Sequence, residues 1–397
     1  ALEAAKAELE TQKKQLSAQR DEANKLVKEI DDNAAEYQAT LKELEAEERR
    51  IEQQVKQMQK KLEEQMAAEG KELYETTGSA GFTGGSCWVN ELSVTSTYMT
   101  EEGLLSVVAE NYTYYGGAHP NSVSRTWSFD LTTGEFLTLD ALSSEEGDIN
   151  GNSLQTSIYQ NVVSQIDGQG LSEAYFDDYD SYLSDFPAFA TFYFTATGMT
   201  VAFDTYIIAP YAAGPQVFDV PYSVFYSALN ERAKTLLEVP QEQIVLSDFD
   251  TAATLWSWLF ITTPPTENTP DEVEINGYTY YQADIQGVST MAELRALMYR
   301  YFDKALADRW LEETERYAEA DGRLYVLSAD RGSNDSIMDE TCSVALDGES
   351  GTVTQTVAYG EWDEAMQSRA ATGEETFAYP FTLVDGHAVF SAFPYPY

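Results

Sequence analysis

Two histidines, two cysteines and 24 lysines and arginines are all that 397 residues supply for nitrogen or sulfur ligation of a metal, thiol redox chemistry and anion binding. His119 and His387 lie in different segments. A zinc site needs several His, Cys or carboxylate ligands at fixed spacing, so no metal or cofactor is expected. Cys87 and Cys342 stand far apart, and neither has a CxxC or Cys/His neighbourhood; whether they pair is open. No uninterrupted apolar run is long enough to span a bilayer as a helix. Cations are scarcest after residue 80. Of 67 acidic and 24 basic residues, residues 1–80 hold 19 and 13, a net of −6, leaving 48 and 11, a net of −37, for the other 317. Such a field repels nucleic acid and anionic lipid and attracts cationic partners at rates that fall with salt. Nucleic-acid binding is thereby excluded.

Glycine and proline are missing from the first 69 residues. There Leu2, Leu9, Leu16, Ala23, Ile30, Tyr37, Leu44, Ile51 and Met58 recur every seven positions. Leu41, Val55 and Leu62 fill a second seam, with Glu48 as its polar break. A strict seven-residue apolar repeat keeps one stripe facing a partner when helices supercoil. Residues 1–69 are therefore expected to form a coiled coil about 100 Å long, through which the chain self-associates. Gly70 ends the rod, and the glycine- and serine-rich stretch 70–90 reads as a linker.

The remainder is 43% hydrophobic and 13% aromatic by the whole-chain composition, ample for globular cores. Alternating, aromatic, turn-punctuated patterns predict strands at Leu104–Tyr115, Thr126–Leu131, Ala190–Ala196 and Met199–Asp204. Helical patterns occupy Leu154–Ile166 and 222–236. After a linker at 238–248, an apolar helix at 249–260 leads to helices at Thr290–Leu306 and Ala307–Ala320. Further strands are expected at Arg323–Ser328, Cys342–Leu346, Val353–Tyr359, Phe377–Val384 and Ala388–Phe393. The fold class is α+β, with two α+β domains, 91–237 and 249–397, behind the coiled-coil helix.

Five blocks in one order, GLLSVV (103–108), YTYYGGAHPN (112–121), FDLTTGEFLTL (129–139), FYFTATGMTVAF (192–203) and YIIAPYAAGPQVFDVPYS (206–223), resemble the extracytoplasmic domain of RsiV-type anti-sigma factors, also found beside secreted polysaccharide deacetylases. The resemblance implies an extracytoplasmic domain that binds lysozyme, a strongly cationic enzyme. The smaller module that precedes this domain in the family is expected to be absent or cut short between Trp88 and Gly103, and no sigma-binding segment is present. LWSWLF (255–260), VEINGYTYYQ (273–282), TMAELRALMYRYF (290–302), DGRLYVLSADRGSN (321–334) and FTLVDGHAVFSAFPY (381–395) resemble IseA-type inhibitors of cell-wall DL-endopeptidases. That resemblance implies an acidic surface that blocks the clefts of cysteine-type peptidoglycan peptidases. The rod and GFTGGSCWV (81–89) are similar to the coiled coil and linker of murein-hydrolase activators.

Candidate chemistry is sparse. His119 sits in the GGAHPN turn without an orienting carboxylate or nucleophile in any motif, so a turn or partner-contact role is favoured over catalysis. Tyr112 and Tyr114 share a strand face and, with Tyr115 and Asn121, are core or partner-contact residues. Asp177, Asp178, Asp180 and Asp185 read as an acidic solvated loop, lacking the central glycine and terminal glutamate of a calcium loop. Asp330, Arg331, Asn334 and Asp335 form a polar turn suited to partner contact. The reading is a non-enzymatic bacterial protein, secreted or at the cell surface, that captures cationic wall hydrolases such as lysozyme or NlpC-type endopeptidases. Its alternatives are a peptidoglycan hydrolase or its activator, and a purely structural multimer.

Overall fold

Alternation of apolar and polar residues builds the first sheet from consecutive strands. β1 (Val89–Met99), β2 (Leu104–Tyr114), β3 (Asn121–Asp130) and β4 (Glu135–Phe136) pair antiparallel in that order. The computed structural model describes residues 60, 89–114, 120–168, 174–266, 270–328, 330–332, 334–363 and 368–396. The predicted rod and most of the linker lie outside these residues. A second sheet follows helix α1 (Leu154–Gly168), with β5 (Thr191–Phe194), β6 (Gly198–Phe203) and β7 (Gln216–Pro221) antiparallel. The Ser106 hydroxyl joins the two sheets, meeting Ser128 Oγ at 3.0 Å and accepting from Phe194 N–H at 3.0 Å. Leu154, Ile158, Val162 and Ile166 of α1 pack with Phe194, Val201, Phe203 and Phe218 into the first apolar core. Helix α2 (Glu231–Leu237) closes it with Leu236 and Leu237.

Helix α3 (Gln241–Phe260) opens the second core. Behind it come β8 (Glu272–Ile275) and β9 (Tyr278–Gln282), folded at Asn276 and Gly277, whose φ angles of 53° and 84° suit a two-residue hairpin turn. Helices α4 (Met291–Tyr301) and α5 (Lys304–Glu313) precede β10 (Tyr317–Ala320) and β11 (Arg323–Leu327), which complete a sheet of order β10-β11-β9-β8. The last sheet runs β12 (Ile337–Asp347), β13 (Ser350–Asp363), β14 (Ser368–Val384) and β15 (His387–Phe390) in chain order. Both cores belong to one compact unit, residues 85–397. The mixture of separate small sheets and helices is α+β, as the sequence patterns required.

Several expected boundaries move, each for a local reason. The single helix at 222–236 is broken: Leu229 bridges to Ser143, and Asn230 caps α2 through Oδ1 on Ala233 N–H at 2.8 Å while its amide donates to Ala141 O at 2.9 Å. The stretch 241–248, read as linker, is instead the first two turns of α3, with Val245 fully buried. The long helix at 290–306 stops at Tyr301 because Asp303 N–H donates to Phe390 O at 2.9 Å, tying the chain to β15; its carboxylate then caps α5. Residues 317–320 are a strand, not helix, turned into β11 at Asp321 and Gly322, both with positive φ. The acidic run after α1 is partly helical, Tyr179–Ser184, and Asp180 accepts from Tyr159 Oη at 2.7 Å.

Close packing at β6 leaves no room at Gly198, where an added Cβ would lie 2.1 Å from Val220 O and 2.9 Å from Pro221 Cα. Both neighbours are backbone of the paired strand and cannot rotate away. Gly198→Ala is expected to cost about 1–3 kcal/mol of folding stability, read by denaturant titration. An unchanged midpoint would show that β6 and β7 are not this close.

Candidate functional site

The residues singled out from sequence fall in two separate places, the first sheet and the connection from β11 to β12. Tyr112 and Tyr114 end β2 half-buried on one face; Tyr112 lies opposite Glu91 and Ser122, Tyr114 opposite Val89. Asn121 starts β3 exposed, its carbonyl accepting from Thr113 Oγ1 at 3.2 Å. Tyr115 and His119 lie outside the described residues. Asp330, Arg331, Asn334 and Asp335 belong to the connection from β11 to β12. Asp330 Oδ1 accepts from Thr263 N–H at 2.5 Å and Thr263 Oγ1 at 2.6 Å, and these bonds hold its carboxyl below the usual range. Arg331 N–H donates to Ile261 O at 2.8 Å, and Asn334 Oδ1 accepts from Ser336 Oγ at 2.6 Å. Asp330 and the Arg331 backbone therefore brace the end of α3, while the Arg331 and Asp335 side chains remain exposed.

The charge excess has a clearer address. Much of the small cationic supply is engaged within the fold. Arg232 pairs with Asp130 at 2.7 Å, Lys234 with Glu231 at 2.8 Å and Arg323 with Asp271 at 3.0 Å; Arg295 pairs with Asp308. Buried Arg316 donates to Thr262 O at 2.7 Å and Ile261 O at 3.1 Å. Burial pushes the Asp130 carboxyl up, but bonds from Thr132 and Arg232 outweigh it and leave the group below its ordinary value. In contrast, residues 337–384 contain Asp339, Glu340, Asp347, Glu349, Glu361, Asp363, Glu364, Glu374 and Glu375 against Arg369 as the one basic residue. On β12 every residue except Ile337 and Val344 is exposed, and Glu361, Glu374 and Glu375 are exposed on β13 and β14. The register keeps the charges apart: Asp339 and Glu374 both face Ala358, and Glu340 and Glu375 both face Val357. Like charges directly opposite would oppose the sheet. Successive strand residues face opposite ways, so Asp339 and Glu374 share one face of the sheet and Glu340 and Glu375 the other. The exposed acidic residues of this sheet, its acidic ladder, are the candidate protein-binding surface, signalled by the density of acid over one segment rather than by any individual residue.

A second arrangement joins the end of the chain to α3. Asp248, 5% exposed at its side chain, accepts from Ala388 N–H at 2.7 Å and meets His387 Nδ1 at 3.0 Å. Tyr226 of the first core lies against the imidazole, ring centroids 6.3 Å apart, and Lys234 sits over the Tyr226 ring at 5.3 Å. A cleft of about 780 Å³ opens beside them, lined by Glu145, Glu146, Asp148, Glu231, Lys234 and Arg300. Among the described residues no group of three or more His, Cys, Asp or Glu is placed to hold a metal ion. Cys342 is a free cysteine on the exposed strand β12, but its thiol is partly desolvated, and this, with Asp250 and Glu340 nearby, pushes it up to about 11; Cys87 lies outside the described residues.

Comparison with known families identifies two segments. Residues 148–223 match the profile described as "Protein of unknown function (DUF3298)", the family of the RsiV-type domain, and residues 3–122 match the profile "Deacetylase PdaC". The second match runs across the rod and linker positions and through β1 and β2 to the first residues of β3. Similar solved structures include a DUF3298 family member from Bacteroides fragilis, 24% identical over 43% of this chain with a TM-score of 0.30. Another is a DUF3298 family protein from Pseudomonas aeruginosa, 16% identical over 37% of this chain with a TM-score of 0.28. The chain spans 64% of each of those proteins, a little under two thirds. No curated protein matches it. No described helix is long and apolar enough to cross a membrane.

The Asp248 contact gives the fold a pH signature. The hydrogen bond to Asp248 raises the His387 pKa above its ordinary value, against burial and the charges of Lys234 and Arg300. A folded-state pKa above the unfolded one adds stability below the unfolded pKa, about 6.5, and loses it as pH rises through the folded value. The denaturation midpoint should therefore fall between pH 6 and 8 more steeply in the parent than in His387→Gln. Parallel profiles for the two proteins would show that the imidazole carries no such linkage.

Proposed function

We propose that this chain is an extracytoplasmic bacterial binding protein that captures cationic peptidoglycan-cleaving enzymes and restrains them without a bond-breaking step of its own. One observation carries the reading: residues 81–397 hold 48 acidic against 11 basic residues, and the strands β12–β14 expose part of that excess with nine carboxylates against one arginine over residues 337–384. Such a surface raises the encounter rate with a positively charged enzyme and then occludes its cleft sterically. The DUF3298 match supports an envelope setting and a protein-binding role; lysozyme as the partner of the middle segment and DL-endopeptidases as that of the last are proposed from the sequence resemblances of those segments alone. The rod would gather several copies at one surface.

A second reading has one specific support, the match of residues 3–122 to a family described as a deacetylase. On that reading the chain itself acts on an envelope polymer, and release of acetate or of wall fragments by the purified protein would favour it.

The discriminating measurement is calorimetry of the full chain with a C-type lysozyme and an NlpC-type peptidase at low and high ionic strength. Binding tighter than about 100 µM, or −5.5 kcal/mol, is expected for at least one enzyme, weakening as salt screens the ladder. Glu374→Lys with Glu375→Lys should lower the association rate more than it raises dissociation. Failure of both enzymes to bind at low salt would sink the capture reading.

A further inference from the structure

Helices α3 and α5, with the segment after β15, line an open depression of about 440 Å³ that the acidic ladder does not involve. Its walls are aromatic. Trp256 and Phe260 stand one turn apart on α3 with ring centroids 5.1 Å apart, and Phe260 meets the edge of Trp310 of α5 at 5.8 Å. Phe393, following β15, closes the floor. Trp256, which also meets Tyr395 at 5.1 Å, and Phe260 are half-buried, whereas Trp310 and Phe393 are buried at 8% and 6% exposure. At the rim Arg309 and Glu313, also one turn apart, are exposed. No hydrogen bond or ion pair engages either side chain among the described residues, not even between the two. In a chain with so few cations, a guanidinium left unspent beside an unspent carboxylate is unusual.

We propose that this pocket binds a neutral pyranose ring of a glycan. Each feature narrows the ligand. An aromatic face carries negative quadrupole density and attracts the weakly positive C–H bonds along one face of a sugar ring. The planar fork of Arg309 donates and the carboxylate of Glu313 accepts, so together they match vicinal hydroxyls, which do both. An anion would meet Glu313 and the net charge of −43, and a cation would meet Arg309. A neutral polyhydroxylated ring is the ligand class that offends none of these. Sugar binding here is separable from capture of a cationic enzyme by the β12–β14 ladder, since the two use different residues.

The test is titration of the full chain with chitotetraose and, separately, maltotetraose, followed by tryptophan fluorescence. A saturable change in emission is expected with at least one of them, because Trp256 lines the pocket. Arg309→Ala and Glu313→Gln should each weaken binding about tenfold, the loss of roughly one hydrogen bond to a charged group. Both positions are exposed, so melting temperatures should stay at the parent value, and Glu272→Gln on exposed β8 should leave the affinity unchanged. No saturable response to either oligosaccharide up to about 10 mM, where affinity is only a few kcal/mol, overturns the proposal. So does a response that both rim variants leave intact.

Discussion

The contact on which the arrangement of the second core rests is the buried carboxylate of Asp248. It lies in the second turn of α3 and accepts from the Ala388 backbone and the His387 ring at the far end of the chain. A carboxylate taken out of water is tolerated only where hydrogen bonds replace its hydration, and removing a partner leaves the full desolvation cost uncompensated. The pairing therefore commits β15 to one position against α3. From there the rest follows: Phe249 of the same helix packs against Tyr379, Phe390 and Phe393, and Phe302 and Asp303 are drawn to Phe390. Because α3 starts directly behind α2, with Ile244 on the first core and Val245 in the second, one helix serves both.

Charge imposes the second constraint. Eleven cations among 317 residues cannot neutralise 48 carboxylates, and several are spent on fixed internal partners such as Asp130 and the carbonyls at the end of α3. The excess has to face water. The last sheet accommodates it by register, setting Ala and Val across from its carboxylates so that repulsion acts diagonally rather than head-on. Exposed charge on the long edge strand β12 also discourages pairing with a second copy, which leaves the surface free for a partner of opposite sign. Against this background the uncommitted Arg309 at an aromatic pocket stands out as a different kind of site from the ladder.

Where local chemistry was explicit, the sequence was legible. Alternation placed β2, β5, β6 and β11 within a residue or two, and the amphipathic stripe of Leu154–Ile166 placed α1. The Asn276–Gly277 and Asp321–Gly322 pairs carry the positive φ that such hairpins demand, yet of the strands that flank them only β11 is predicted by alternation. The polar DRGSND run was visible as a turn. Its chief role, Asp330 bracing Thr263, depends on a contact with a distant helix end and has no local signature.

The sequence by itself determined the α+β class, the acidic excess, the seven-residue repeat of the first 69 residues and most strand positions. Each depends on residue type and short-range spacing, which act before the chain is folded. Tertiary structure alone decided that α3 begins at Gln241, that the 222–236 helix breaks at Asn230, and that Asp248 meets His387. It likewise decided that Arg309 and Glu313 stand unpaired over Trp256 and Phe260. Those outcomes turn on which groups are brought together across long stretches of chain and shut off from water, and no spacing along the sequence encodes that competition.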